Sequence, residues 1–187
     1  MTVAGPGAPA GPRLRPGDRR DLGLVGWTVS TVSGRVAGSG PPNLFRTLGR
    51  HRPLFRGWLR FAGRLMPGGT LPRRETELVI IRVATLAGCD YEREHHLRLG
   101  RRAGVTDEDV LRLDRGPTAD GWSPREAAIL AAVDELHATH DVSDETWSAV
   151  GAHLSDRELI ELVLLVGHYE MLATFITTLR IEPDAHR

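Results

Sequence analysis

No lysine occurs in the sequence; all 24 basic residues are arginine. A Schiff-base lysine is therefore unavailable, which removes amine-type covalent catalysis. Because lysine codons are AT-rich, arginine-only usage points to a high-GC bacterial genome rather than to a functional demand. There is one cysteine, Cys89, so neither an intramolecular disulfide nor a Cys-rich metal site can form. Net charge is lacking too, 24 acidic residues balancing the arginines. Without a basic excess, nucleic-acid binding loses its usual electrostatic footprint, and a near-neutral chain does not oppose its own association. The longest apolar run, Leu162 to Val166 with Gly167, is far shorter than the roughly 20 residues a membrane span needs. Met1 to Arg20 is rich in Pro, Gly and Ala with scattered Arg and has no secretory apolar stretch. A cytoplasmic location with no membrane partner is the expectation. Phosphate-binding Gly loops, Ser-His-Asp patterns and dinucleotide fingerprints are missing as well.

What remains is ordinary globular composition, 41% hydrophobic and 26% charged, in a chain long enough for one domain with a real core. Residues 1–20 read as a disordered tail, because such a mixture buries too little surface to offset its ordering entropy. Residues 21–187 read as a single domain. From Leu22 to Gly40 the chain is small, polar and Gly-punctuated, and its conformation is left open. Asn43 to Met66 carries Leu54, Phe55, Trp58, Leu59, Phe61, Ala62 and Leu65 at helical spacing, one or two helices around Arg52-Pro53. Glu75 to Ala87 is apolar on nearly all sides and predicts a buried helix. Gly88 breaks it, and a charged helix resumes from Tyr91 to Ala103, with Gly104 as its stop. Thr106, Ser123 and Ser155 each precede an acidic residue by three positions, the pattern of a helix start. The helices they open are Asp107 to Leu113, Pro124 to Thr139 and Asp156 to about Leu179, with one more from Ser143 or Asp144 to about Ala152. No segment alternates like a strand. The fold class is all-α, a helical bundle.

Glu92 and His96 stand four apart and project from one helix face. Cys89 precedes Glu92 by three and shares that face if the helix begins near Gly88. Glu77 comes from the preceding buried helix, where a carboxylate is costly unless paired or proton-bearing. Burial would raise its pKa toward a range useful for acid/base work. A cysteine near a helix N-terminus is expected to favour the thiolate. Each residue also has a plainer reading. Glu77 would pair with Arg73, Arg74 or Arg82, Glu92 and His96 would be a surface pair, Cys89 an inert buried thiol, and Tyr91 a half-buried ring. In the last helix Glu161 and His168 share a face, and Gly167-His168-Tyr169-Glu170 interrupts an apolar helix. His168 and Tyr169 are thus second candidates, as a pocket wall, a subunit contact or core residues. Glu92-x-x-His95 is half of a di-iron helix motif, but no second Glu-x-x-His helix exists to complete it. No metal is expected.

The arrangement Glu77, eleven residues, Cys89-Asp90-Tyr91-Glu92, three residues, His96 resembles the alkylhydroperoxidase D motif, in which a Glu precedes a Cys-x-x-Cys followed by three residues and a His. HHLRLGRRAGVTDEDV from His95 is similar to the helix-turn that follows the same His in carboxymuconolactone decarboxylases. Gly121-Trp122-Ser123-Pro124, VDELHATHDVSDETW from Val133 and LVLLVGHYEMLATF from Leu162 extend the resemblance over roughly Leu71 to Ile181. It implies an oligomeric helical bundle of alkylhydroperoxidase D-like type, a small-molecule substrate and retained acid/base partners at Glu77 and His96. The second cysteine of the motif is Glu92 here, so dithiol–disulfide cycling is not possible. The leading expectation is a cofactor-free enzyme moving a proton on an organic acid or biosynthetic intermediate by decarboxylation, isomerisation or elimination. Glu77, Cys89, Glu92 and His96 would be its catalytic residues, and Tyr91, His168 and Tyr169 would touch substrate. The alternatives are a single-cysteine thiol peroxidase and a non-catalytic oligomeric ligand binder.

Overall fold

Capping chemistry sets most of the helix boundaries in the computed structural model, which describes residues 11–184. Nine helices occur among these residues, and no β-strand. They are α1 (Arg19–Ala37), α2 (Asn43–Leu48), α3 (Arg52–Leu65), α4 (Arg73–Leu86), α5 (Asp90–Arg102), α6 (Asp107–Arg115), α7 (Pro124–Thr139), α8 (Asp144–Gly151) and α9 (Asp156–Leu179). Thr106 and Ser123 form reciprocal capping boxes with Asp109 and Glu126, satisfying backbone donors that the first turn leaves unpaired. Ser155 donates from its backbone N–H and its hydroxyl to Glu158 in the same way. The region left open by the sequence is α1. Asp18 caps it, and Gly23 at φ 71° kinks it. It begins at Arg19, so the last residues of the segment expected to be a tail are helical.

By its contacts the chain divides into two units, Met1–Phe55 with Ile176–Arg187, and Arg56–Phe175. In the first, the Gly17 N–H donates to the Arg46 carbonyl, and the Arg46 side chain donates back to the Gly17 carbonyl. Phe45 and Phe55 meet edge-to-face, and the Asn43 N–H donates to Asp184.

In the second unit α4 is the central element, buried continuously from Thr76 to Ala84. Leu78 and Ile81 pack with Val105, Leu113 and Leu130, and Leu97, Val110 and Trp122 close over them. Each fully buried aliphatic side chain of this kind contributes roughly 1.5–3 kcal/mol. Arg82 fastens α4 to α7 through a bidentate pair with Asp134, both bonds 2.7 Å. At the end of α4, Gly88 takes φ 61°, a left-handed conformation that favours glycine, and the chain reverses into α5. This turn lays α5 back along α4, setting His96 opposite Glu77. Glu161 of α9 accepts from the Thr70 and Leu71 N–H groups and the Thr70 hydroxyl, fixing the entry to α4. Among the described residues, α9 alone is long and apolar enough to cross a membrane, by length and composition. A search for uninterrupted apolar runs overlooks this because Glu161, His168 and Glu170 break the run; here Glu161 and His168 are buried within the protein.

Candidate functional site

Glu77 is completely buried, which an ionised carboxylate tolerates only with close partners. It has two. Arg73, one turn earlier on α4, forms an ion pair with Oε1. On the other side His96 Nδ1 stands 2.8 Å from Oε2. Of the three arginines the sequence offered to Glu77, Arg73 takes the role, while Arg74 and Arg82 hold other carboxylates. The Glu77 bond orients the imidazole, leaving Nε2 as the nitrogen available for proton exchange.

Glu92 lies one turn before His96, 2% exposed. Beyond the Cys89 thiol at its side, neither of its oxygens has a hydrogen-bond partner. Burial pushes its pKa up to about 8, the Cys89 thiol opposing and the Glu170 charge adding to the rise. At neutral pH it carries a proton. Cys89 occupies the N-cap of α5, but the thiolate expected there does not form. Burial, aided by the Glu92 charge against the Glu92 N–H contact, drives the thiol up to about 12. The weak field of one helix terminus is worth at most ~2 kcal/mol and does not offset desolvation of a buried sulfur anion.

The rest of the cluster comes from α9 and α3. The Tyr169 ring meets His96 edge-on, centroids 5.0 Å apart, and its hydroxyl points to the Met66 sulfur. Burial and the neighbouring Glu77 and Glu92 push the phenol well above its ordinary range. His168 meets Tyr169 edge-on, stacks against Trp58 at 5.9 Å and touches the edge of Phe61 at 5.3 Å. Its Nδ1 is buried without a partner, and burial lowers its pKa to about 4. Burial also holds His95, beside His96, down to about 3. Tyr91 is half-buried on α5. The structure thus brings Glu77, Cys89, Glu92, His96, His168 and Tyr169 together, while Glu161 serves the α4 entry.

Sequence reasoning gave no site role to four participants. Trp58 and Phe61 had been read only as the apolar face of a helix. His137 of α7 and Glu170 of α9 pair at 2.6 Å, and the Glu170 charge reaches Glu92. Nothing in local spacing joins residues 33 positions apart; only the interruption of an apolar helix at Glu170 gave a hint. Among the described residues no group of three or more His, Cys, Asp or Glu is placed to hold a metal ion.

The fold is that of alkylhydroperoxidase D-like proteins. A peroxidase-related protein from Ralstonia eutropha JMP134, an alkylhydroperoxidase AhpD core, superposes with TM-score 0.81 over 94% of each chain at 20% identity. The debrominase Bmp8 superposes with TM-score 0.76 over 91% of each chain at 17% identity. A cysteine-to-alanine variant of it, solved with 2,3,4-tribromopyrrole, gives 0.78 over 91% of each chain at 16%. In sequence, residues 52–135 match the carboxymuconolactone decarboxylase family. The uncharacterized protein YdfG of Bacillus subtilis (strain 168) is 28% identical over 100 residues, 52% of this chain and 68% of its own. The match to the carboxymuconolactone decarboxylase family thus spans α3 to α7 on an alkylhydroperoxidase D-like fold, with Glu92 standing where the resembled motif has its second cysteine.

Proposed function

We propose that the cluster is the active site of a small-molecule enzyme that works by proton transfer, in a decarboxylation, isomerisation or elimination run by side chains without a bound cofactor. The observation that supports this best is the buried Glu77–His96 bond with a proton-bearing carboxyl one turn away. Glu77 fixes the imidazole and stabilises its charged form, His96 Nε2 takes the substrate proton, and Glu92 returns one as a general acid. An oriented imidazole and a proton-bearing carboxyl one turn apart can divide base and acid roles in this way. Cys89, held as a thiol, walls the pocket. A peroxidatic role would need the thiolate that burial suppresses.

The test is deuterium exchange in D2O on a panel of enolisable lactones and electron-rich rings, read by mass spectrometry, beside reduction of cumene hydroperoxide by dithiothreitol. Exchange lost in His96→Gln and Glu77→Gln but kept in Cys89→Ala supports the reading. Peroxide turnover that vanishes in Cys89→Ala, with no exchange on any member of the panel, rejects it.

The same proposal includes self-association. Ile160, Leu164 and Met171 lie exposed along α9, 63%, 46% and 50%, an apolar stripe suited to a second copy. A chain that sediments as a monomer at micromolar concentration would remove that part.

A further inference from the structure

Among the described residues, two polar groups of the cluster whose buried atoms lack hydrogen-bond partners, Glu92 and His168, indicate what enters the site. Both oxygens of Glu92 and the Nδ1 of His168 are buried, with no protein group completing their hydrogen bonds apart from the thiol beside Glu92. Buried polar atoms are nearly always satisfied, so orphaned ones beside a reactive imidazole call for a ligand that satisfies them. Between and around them stand aromatic faces and edges: Trp58 and Phe61 against His168, and Tyr169 between His168 and His96.

Charge at the cluster is already balanced. Arg73 is committed to Glu77, Arg74 to Asp109 and Glu126, and Arg82 to Asp134. Arg98 sits on another face of α5, beside His95. Arg60 and Arg64, flanking Phe61, are exposed to water, where their fields are screened. Apart from Arg98, whose buried Nε lacks a hydrogen-bond partner, an anion entering among these groups would find the neighbouring arginines committed or screened, while the carboxylate of Glu77 would oppose it. A buried charge without a counterion is strongly disfavoured.

We propose that the molecule taken at this site is an electrically neutral, planar ring bearing an N–H or O–H donor, of pyrrole, indole or phenol type, and not a carboxylate. The inference rests on reading this cluster as the active site, and it narrows the reaction to isomerisation or elimination, since decarboxylation needs a carboxylate substrate. The donor of the ring meets Glu92, which as a carboxylic acid both accepts and donates. Neutral His168 completes the polar contacts, and the aromatic side chains hold the ring faces, whose electron-rich surfaces favour offset or edge-on packing.

Calorimetric titration of the full chain at pH 7 tests this, with indole and phenol set against indole-3-carboxylate and benzoate. Each neutral ring should bind at least about tenfold more tightly than its carboxylate. Glu92→Gln, which keeps a neutral acceptor, should stay within about threefold of the parent, whereas Glu92→Leu and His168→Leu should each weaken binding about tenfold. Circular-dichroism melts verify that the variants are folded. Carboxylates that bind as tightly as the neutral rings would overturn the proposal, as would failure of either neutral ring to bind at millimolar concentration. So would unchanged affinity in folded Glu92→Leu. Neutral-ring binding without proton exchange on any substrate would leave this inference standing and sink the acid/base reading. Carboxylate preference with exchange that depends on His96 would do the reverse.

Discussion

Two sets of buried charges grow from the first turns of α4, and they end in opposite states. On one side Arg74 donates to Asp109 at 2.6 Å, to the Gly104 carbonyl at 2.6 Å and to Glu126 at 3.1 Å. Next to it Glu75 receives Arg125 at 2.8 Å, and Arg125 continues to Glu158 at 2.7 Å. Burial raises the Asp109 carboxyl, but bonds from Arg74 and Thr106 outweigh it and hold the group far below its ordinary range. The Ser155 bonds, then Arg125, bring Glu158 down to about 2. On the other side, reached through Glu77, burial dominates: Glu92 rises, and His95 and His168 fall. The matched set ties α4 to α6, α7 and α9. In the second set polar groups remain unmatched, an energetic cost that a purely structural cluster would have no reason to keep.

Breaking the matched set should have the largest effect. Asp109→Ala strips Arg74 of its closest partner and removes the capping-box acid of α6, so chemical denaturation should show a loss of about 3 kcal/mol. The unmatched set should respond with the opposite sign. Burial pushes Glu92 up to about 8 in the folded protein from the ordinary 4.5, so its stabilising contribution is complete below pH 4.5 and is lost as pH rises toward 8. Glu92→Gln should therefore be more stable than the parent at pH 8 by about 2–3 kcal/mol, and within about 0.5 kcal/mol of it at pH 4. Denaturation midpoints at the two pH values decide the matter; equal differences at both would place the proton elsewhere.

The matched side was largely legible in the sequence. Thr106, Ser123 and Ser155 each announce a helix three residues before an acidic partner, and Gly88 and Gly104 end helices because a left-handed turn suits them. The shared face of Glu92 and His96 follows from four-residue spacing. The rest depends on contacts distant in sequence. α1 was hidden because Gly23, Gly26 and Gly34 dilute its apolar pattern, and its N-terminal end is held by Arg46 and Arg52 from later helices. Spacing did not decide which arginine meets Glu77, since all three candidates are within five residues of it. It could not place Trp58 and Phe61 against a histidine more than a hundred residues away. Sequence left both readings of Cys89, thiolate and inert buried thiol, standing for a physical reason: a helix N-terminus is visible in sequence, the depth of burial beside it is not.

A smaller effect belongs to His168. Its folded pKa near 4 lies below the ordinary 6.5, so its contribution is complete above pH 6.5 and is lost as pH falls toward 4. Opposed to Glu92, it should hold the stability contributed by the site level between about pH 4.5 and 6.5, with a fall on either side. His168→Phe keeps the ring packing on Trp58 and removes the titration. Between pH 6.5 and 5 it should lose about 1–2 kcal/mol less than the parent. A parallel pair of pH–stability curves would mean that His168 is charged in the folded protein.

The smallest effect marks the boundary of the comparison. Arg101 and Asp107 form an ion pair at 3.0 Å, but their side chains are 57% and 84% exposed. Water screens such a pair, and holding two mobile side chains together offsets most of the attraction. Arg101→Ala should change the unfolding free energy by no more than about 0.5 kcal/mol, at any pH from 5 to 8. If it cost as much as Asp109→Ala, partnering alone would matter and burial would not. The contrast between the two sides of α4 would then lose its physical basis, since it assumes that a charge is expensive only where water has been taken away.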